Sequence, residues 1–133
     1  MLDENRSLLA RWFDEVWNHE REETIGELMG SDCVIHDGET DICGPKEFQK
    51  FWEAQRAACS DIRLTMHEVV GEGDLVAARW SVEMRDRNSG KPLRTSGMSL
   101  VRFQDGRFAE AWQSWDKHGL MEQMQALTAA AAV

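Results

Sequence analysis

The period of the hydrophobic positions changes midway along the chain. Leu8, Leu9, Trp12, Phe13, Val16 and Trp17 follow one another at steps of one, three, one, three and one. Such spacing lays one apolar stripe along about three turns of α-helix. Asp3 is positioned to cap the start of this helix, with Glu4 favourable at the positive end of its dipole, and Asn18-His19 ends it. Ile25, Leu28 and Met29 predict a shorter helix stopping near Gly30, and Cys33-Val34-Ile35-His36 predicts a short strand. Gly44-Pro45 opens a third helix, because proline at the first helical position gives up an N–H that has no partner there. Phe48, Phe51, Trp52 and Gln55 share one face of it.

From Ile62 onward the period is two. Ile62, Leu64 and Met66 alternate with Arg63, Thr65 and His67, as in a half-buried strand. After a turn at Glu72-Gly73-Asp74, Val76, Ala78, Trp80, Val82 and Met84 alternate with Ala77, Arg79, Ser81 and Glu83. This alternation turns His67 and Arg79 away from the core. A longer turn at Asn88–Pro92 leads to a strand from about Leu93 to Phe103, and Asp105-Gly106 marks a hairpin into a strand from Arg107 to Asp116. A last helix from about Gly119 carries Leu120, Met121, Met124 and Leu127, and His118 stands at its start. Helices followed by an antiparallel meander predict an α+β fold. Strands this long must twist and curl, so helices packed on the concave side would leave a conical pocket. No repeat or linker interrupts residues 1–127, which read as one domain, and residues 128–133 have no pattern and should fray.

The composition narrows the function. The 133 residues, 42% of them apolar, suffice for one core. No apolar run nears the roughly 18 residues of a transmembrane helix. The opening Met1-Leu2-Asp3-Glu4-Asn5-Arg6 is acidic where a signal peptide would be basic. No membrane partner is expected. Cys33, Cys43 and Cys59 leave one cysteine over in any disulfide scheme and form no C-x-x-C, which points to reduced thiols in a cytoplasmic protein. Residues 1–61 hold 6 basic and 15 acidic residues and residues 62–133 hold 9 of each, so the net charge of −9 belongs to the first half. Nucleic acid finds no basic footprint here. Six tryptophans and five phenylalanines stand beside no tyrosine at all, so no mechanism can rest on a phenol.

Several strings in this order resemble a known family. They are Arg11-Trp12-Phe13-x-x-Val16-Trp17-Asn18, Val34-Ile35-His36, Gly44-Pro45-x-x-Phe48, Gly73-Asp74-x-Val76-Ala77-Ala78-Arg79-Trp80, Gly97-Met98-Ser99, and Asp105-Gly106-Arg107 followed by Glu110-x-Trp112-x-x-x-Asp116. Over residues 5–127 the chain resembles the SnoaL-like polyketide cyclases, a branch of the nuclear-transport-factor-2-like superfamily. The resemblance implies a cone-shaped, cystatin-like α+β barrel with an apolar cavity, dimeric through the outer sheet face. It also implies an aspartate base near the end of the last strand, at the position of Asp116, and no metal or organic cofactor. Two departures stand out. Ser99 and Val101 occupy strand positions where many relatives carry an acidic residue or histidine, and without tyrosine the chain cannot build the oxyanion hole of the ketosteroid isomerases.

Candidate chemistry starts with Asp116, which follows Trp115, with Trp112 four residues back. A carboxylate against indole loses hydration, which raises its pKa and suits it to take a proton from a carbon flanked by carbonyls. The alternative is a cap for the last helix or an ion pair with Lys117. His36 could donate to a developing enolate or be a hydrogen-bonded wall residue. Its acidic neighbours Asp37, Glu39 and Asp41 lie in an expected loop and match no ligand motif, so no metal is expected. Trp12, Phe13, Phe48, Phe51, Trp52, Trp80, Met98, Ser99 and Trp112 are the expected contacts of a hydrophobic ligand, although the same rings would also fill a core. The expectation is a homodimeric cyclase- or isomerase-type enzyme for a hydrophobic carbonyl compound, with Ser99 or Gln113 helping to hold the enolate. The alternatives are a non-catalytic binding module on the same fold and an interaction domain that docks through its sheet.

Overall fold

The computed structural model describes residues 2–132, with side chains described through residue 125. Helix α1 (Leu2–Trp12) continues into a π-helical segment, Phe13–Asn18, so the expected stripe runs unbroken through both. Asp3 lies inside the first turn rather than capping it. Carbonyls at a helix end lack partners within the helix. That of Val16 accepts the Trp52 indole N–H at 2.9 Å. Asn18 fastens the segment to the sheet: its amide donates to the Leu64 carbonyl at 2.9 Å, and its Oδ1 accepts the Leu64 N–H at 2.6 Å.

Helix α2 (Glu23–Leu28), strands β1 (Met29–Asp37) and β2 (Thr40–Cys43) and helix α3 (Gly44–Ala58) complete the first half. Strand β2 and the length of β1 were not expected. The acidic stretch around Glu39, read as loop, is a tight hairpin in which His36 pairs with Asp41 and Asp37 with Thr40. Gly44, at φ +79°, takes a conformation other residues avoid, and Pro45 follows it into α3 as the sequence predicts. The second half is β3 (Cys59–Glu72), β4 (Leu75–Asp86), β5 (Pro92–Gln104), β6 (Arg107–Trp115) and α4 (Lys117–Ala132). Asp105 and Gly106, both at positive φ, make the expected hairpin between β5 and β6. The backbone of 128–132, expected to fray, continues α4, and Val133 lies outside the described residues.

The six strands form one sheet in the order β2-β1-β6-β5-β4-β3. Strands β3 to β6 are the antiparallel meander expected, and β1 joins it parallel to β6. The sheet curves without closing, leaving β2 and β3 as edges. Bulges at Ser60/Arg63, Met66/Val69 and Arg102/Phe103 supply the bend. The helices fill the concave side. Trp12 packs between Phe48 and Phe108, with ring centroids 4.9 and 4.8 Å away, joining α1, α3 and β6 in one core.

Candidate functional site

Between the helices and the concave face of the sheet lies a cavity of about 100 Å³. Its walls come from α1 and the π-helical segment (Trp12, Phe13, Trp17), from α3 (Phe48, Phe51, Gln55) and from every strand but β2. No charged side chain is on the described wall. The polar groups there are Gln55, Thr95, Ser99 and Gln113.

The period-2 rule explains the sheet side. On β5, Thr95, Ser99 and Val101 face inward, with Gly97 between the first two. A Cβ at Gly97 would stand 2.5 Å from the Ser114 carbonyl and 2.7 Å from both Trp80 Cζ2 and Trp115 Cβ. Glycine therefore lets Trp80 and Trp115, its register partners on either side, close over the strand. Trp80 donates its indole N–H to Ser99 Oγ at 3.0 Å. Gln113 is the register partner of Ser99 on β6, so a hydroxyl and an amide enter the cavity side by side. Trp115 donates to Asp37 Oδ1 at 3.0 Å, and Lys117 Nζ lies 3.0 Å from Asp37 Oδ2. Asp37, 5% exposed, is thus a buried carboxylate held behind a cavity-wall indole. Sequence reasoning missed it because the hairpin that buries it was read as loop.

Of the expected ligand contacts, Trp12, Phe13, Phe48, Phe51, Trp80, Ser99 and Trp112 do line the cavity. Trp52 and Met98 do not. Trp52 is buried but committed to Val16, with the Arg56 guanidinium 5.0 Å over its ring. Met98 is 56% exposed on the convex face, since neighbours on a strand point to opposite sides and Ser99 points in. Trp112 borders the cavity, yet its ring stacks on His36 at 5.5 Å and carries Arg102 at 6.0 Å.

His36 does not reach the cavity wall. Its Nε2 lies 2.7 Å from Glu110 Oε2 and its Nδ1 2.9 Å from Asp41 Oδ1. These hydrogen bonds, Glu110's first, hold its pKa above the ordinary histidine value. His36 belongs instead to a convex-face network with Glu110, Asp41 and Trp112, apart from the wall on which an enolate would be held. Asp116 is exposed and stands at the N-cap of α4, where its Oδ1 accepts the Gly119 N–H at 2.8 Å. It sits between wall residues, following Trp115 and accepting at its carbonyl both the Leu120 N–H and the Thr95 hydroxyl. Its own side chain is not on the wall. His67 bonds Ser81 on the convex face, Arg79 pairs with Glu68 there, and His118 pairs with Glu122. Burial pushes the Cys33 thiol up to about 11, so it is inert at neutral pH. Among the described residues no group of histidine, cysteine and carboxylate side chains could hold a metal ion.

Residues 7–124 match the model of a family described as SnoaL-like polyketide cyclase. The chain belongs to this family. Among solved structures it is similar to wild-type IdmH from Streptomyces antibioticus, provisionally described as a polyketide cyclase. That match has 24% identity and a TM-score of 0.80 over 91% of this chain and 98% of that one. AclR from Streptomyces galilaeus, provisionally described as a hydroxylase, matches at 18% identity and a TM-score of 0.84 over 95% and 98%. A protein from Catenulispora acidiphila with a ketosteroid isomerase-like fold, solved with trimethylamine, matches at 14% and 0.77 over 87% and 90%. Among curated proteins none matches.

Family membership supports a cyclase-type role on a small molecule, and the fold is the ketosteroid isomerase-like one of the superfamily. What the wall of this SnoaL-like protein offers a ligand is shape, apolar surface and neutral hydrogen-bonding groups. That arrangement can bind an uncharged molecule and hold its oxygen. Any proton transfer has to use a group at the cavity's edge.

Proposed function

We propose that this protein is a cyclase-type enzyme acting on a hydrophobic carbonyl compound, with Asp116 as its base. The observation that carries the reading is the apolar cavity in which Ser99 and Gln113 stand in register on adjacent strands. The Asp116 carboxylate removes a proton from the α-carbon, and the C–H electron pair moves onto the carbonyl oxygen as an enolate. Ser99 and Gln113 hydrogen-bond that oxygen, where donors aimed at developing charge count most. The enolate carbon attacks a second carbonyl of the same molecule, a carbon–carbon bond forms, and the new alkoxide takes the proton back from Asp116. The aromatic wall holds the two reacting carbons together. No cofactor is needed for this sequence.

The protein works as a cytoplasmic homodimer in this reading, with neither membrane nor nucleic acid as partner. The convex face supports the dimer, because Val70, Met98 and Leu100 are 63%, 56% and 36% exposed there. Apolar side chains grouped on one sheet face favour a second copy as their cover. Among the described residues no helix is long and apolar enough to cross a membrane.

One observation favours a second reading, a non-catalytic binder: no titratable acid or base is on the described wall. Deuterium wash-in at the α-carbon of cyclohexanone, in heavy water with catalytic amounts of protein, separates the two. An enzyme accelerates wash-in over buffer and a binder does not.

A further inference from the structure

The cavity wall carries polar groups that the protein leaves without partners. Gln55 enters from α3 and Gln113 from β6, and neither side-chain amide has a hydrogen-bond partner among the described residues. Ser99 accepts the Trp80 N–H, which leaves its own O–H proton to donate. Two amides and a hydroxyl open to an otherwise apolar chamber therefore have hydrogen-bonding capacity that the protein itself does not use. They come from opposite sides, the roof helix and the sheet floor.

Two further facts narrow the occupant. The wall offers no cation, so a carboxylate brought inside would lose its water and gain no counter-charge. The volume, about 100 Å³, is of the order of the roughly 150 Å³ engineered apolar cavity that takes one benzene ring, which sets one ring as the upper bound on ligand size. We propose that the cavity selects an uncharged, one-ring-sized carbonyl compound with polar groups at both ends. Ser99 and Gln113 hold one end and Gln55 holds the other. This rests on the carbonyl-ligand reading above and makes Gln55 a specificity-determining residue. The reaction that supplies the substrate must then leave it without a free acid.

The test is ligand-observed NMR titration with cyclohexanone, 1,4-cyclohexanedione, 4-oxocyclohexanecarboxylate and the three-ring ketone anthrone. The dione should bind several-fold more tightly than cyclohexanone, and the carboxylate at least tenfold more weakly than the dione. Gln55→Leu should erase the advantage of the dione while leaving cyclohexanone affinity within twofold. Gln55→Met repeats the test with a side chain of similar length. The proposal is overturned if the carboxylate binds as well as the dione or if anthrone outbinds both one-ring ketones. It is equally overturned if either Gln55 variant keeps the dione preference, as it would if water alone satisfied the amides. In those cases ketones still bind and the carbonyl reading stands. Binding of no ketone at all overturns that reading as well.

Discussion

Asp116 carries two assignments, base and helix cap, and two substitutions separate them. Asparagine caps a helix about as well as aspartate, whereas alanine does not cap. The bond at stake is Gly119 N–H to Asp116 Oδ1 at 2.8 Å. Asp116→Ala removes it and should cost about 1 kcal/mol. For a chain of 133 residues that lowers Tm by roughly 3–5 °C. The loss is concentrated in α4, which reaches the cavity through Leu120, so amide exchange in its first turns should rise about fivefold. Asp116→Asn keeps the cap and forfeits only the charge at the positive helix end, about 0.5 kcal/mol. It removes the base entirely. If Asp116 takes the proton, wash-in on cyclohexanone should fall about 100-fold or more in the asparagine variant, while ketone affinity changes little. Wash-in at the wild-type rate in Asp116→Asn would leave Asp116 a cap and nothing else. A melting loss in Asp116→Asn as large as in Asp116→Ala would refute the capping half of the reasoning.

Three further outcomes are expected. The raised pKa of His36 stabilises the fold fully below the unfolded value near 6.5, and the contribution is lost as pH rises through the higher folded value. The stability of the wild type over His36→Gln in urea titrations should therefore be greater at pH 5.5 than at pH 9, and an equal or reversed difference would count against the Glu110 and Asp41 bonds. Gly97→Ala should cost about 1–3 kcal/mol, because its Cβ meets the Ser114 carbonyl, which cannot swing away; Trp80 and Trp115 should shift their fluorescence, and an unperturbed spectrum would contradict the close approach. Met98→Asp should convert the proposed dimer to a 15.2 kDa monomer in sedimentation equilibrium, and a wild type that already sediments as a monomer would remove the dimer from the proposal.

What could be read from the sequence was periodicity, and what could not was pairing. The stripe from Leu8 to Trp17 and the alternation through Val76–Met84 name the inward-facing side of the helix and of β4 directly, because burial of one face imposes the pattern. The same rule, applied strictly, separates Met98 from Ser99: adjacent strand residues cannot both face one cavity. His36 shows where the rule stops. Its strand was legible, but its direction depended on β1 entering the sheet parallel to β6, a long-range pairing with no local signature. That pairing puts His36 beside Trp112 and Glu110 on the convex face and, one residue later, turns Asp37 inward against Trp115. A single choice of neighbour thus set the histidine away from the cavity and brought an unforeseen carboxylate behind its wall. Gln55 was placed correctly on the apolar face of α3 by spacing alone. Its significance lies in what surrounds it: a polar group without a partner can be recognised only once the walls around it are in place.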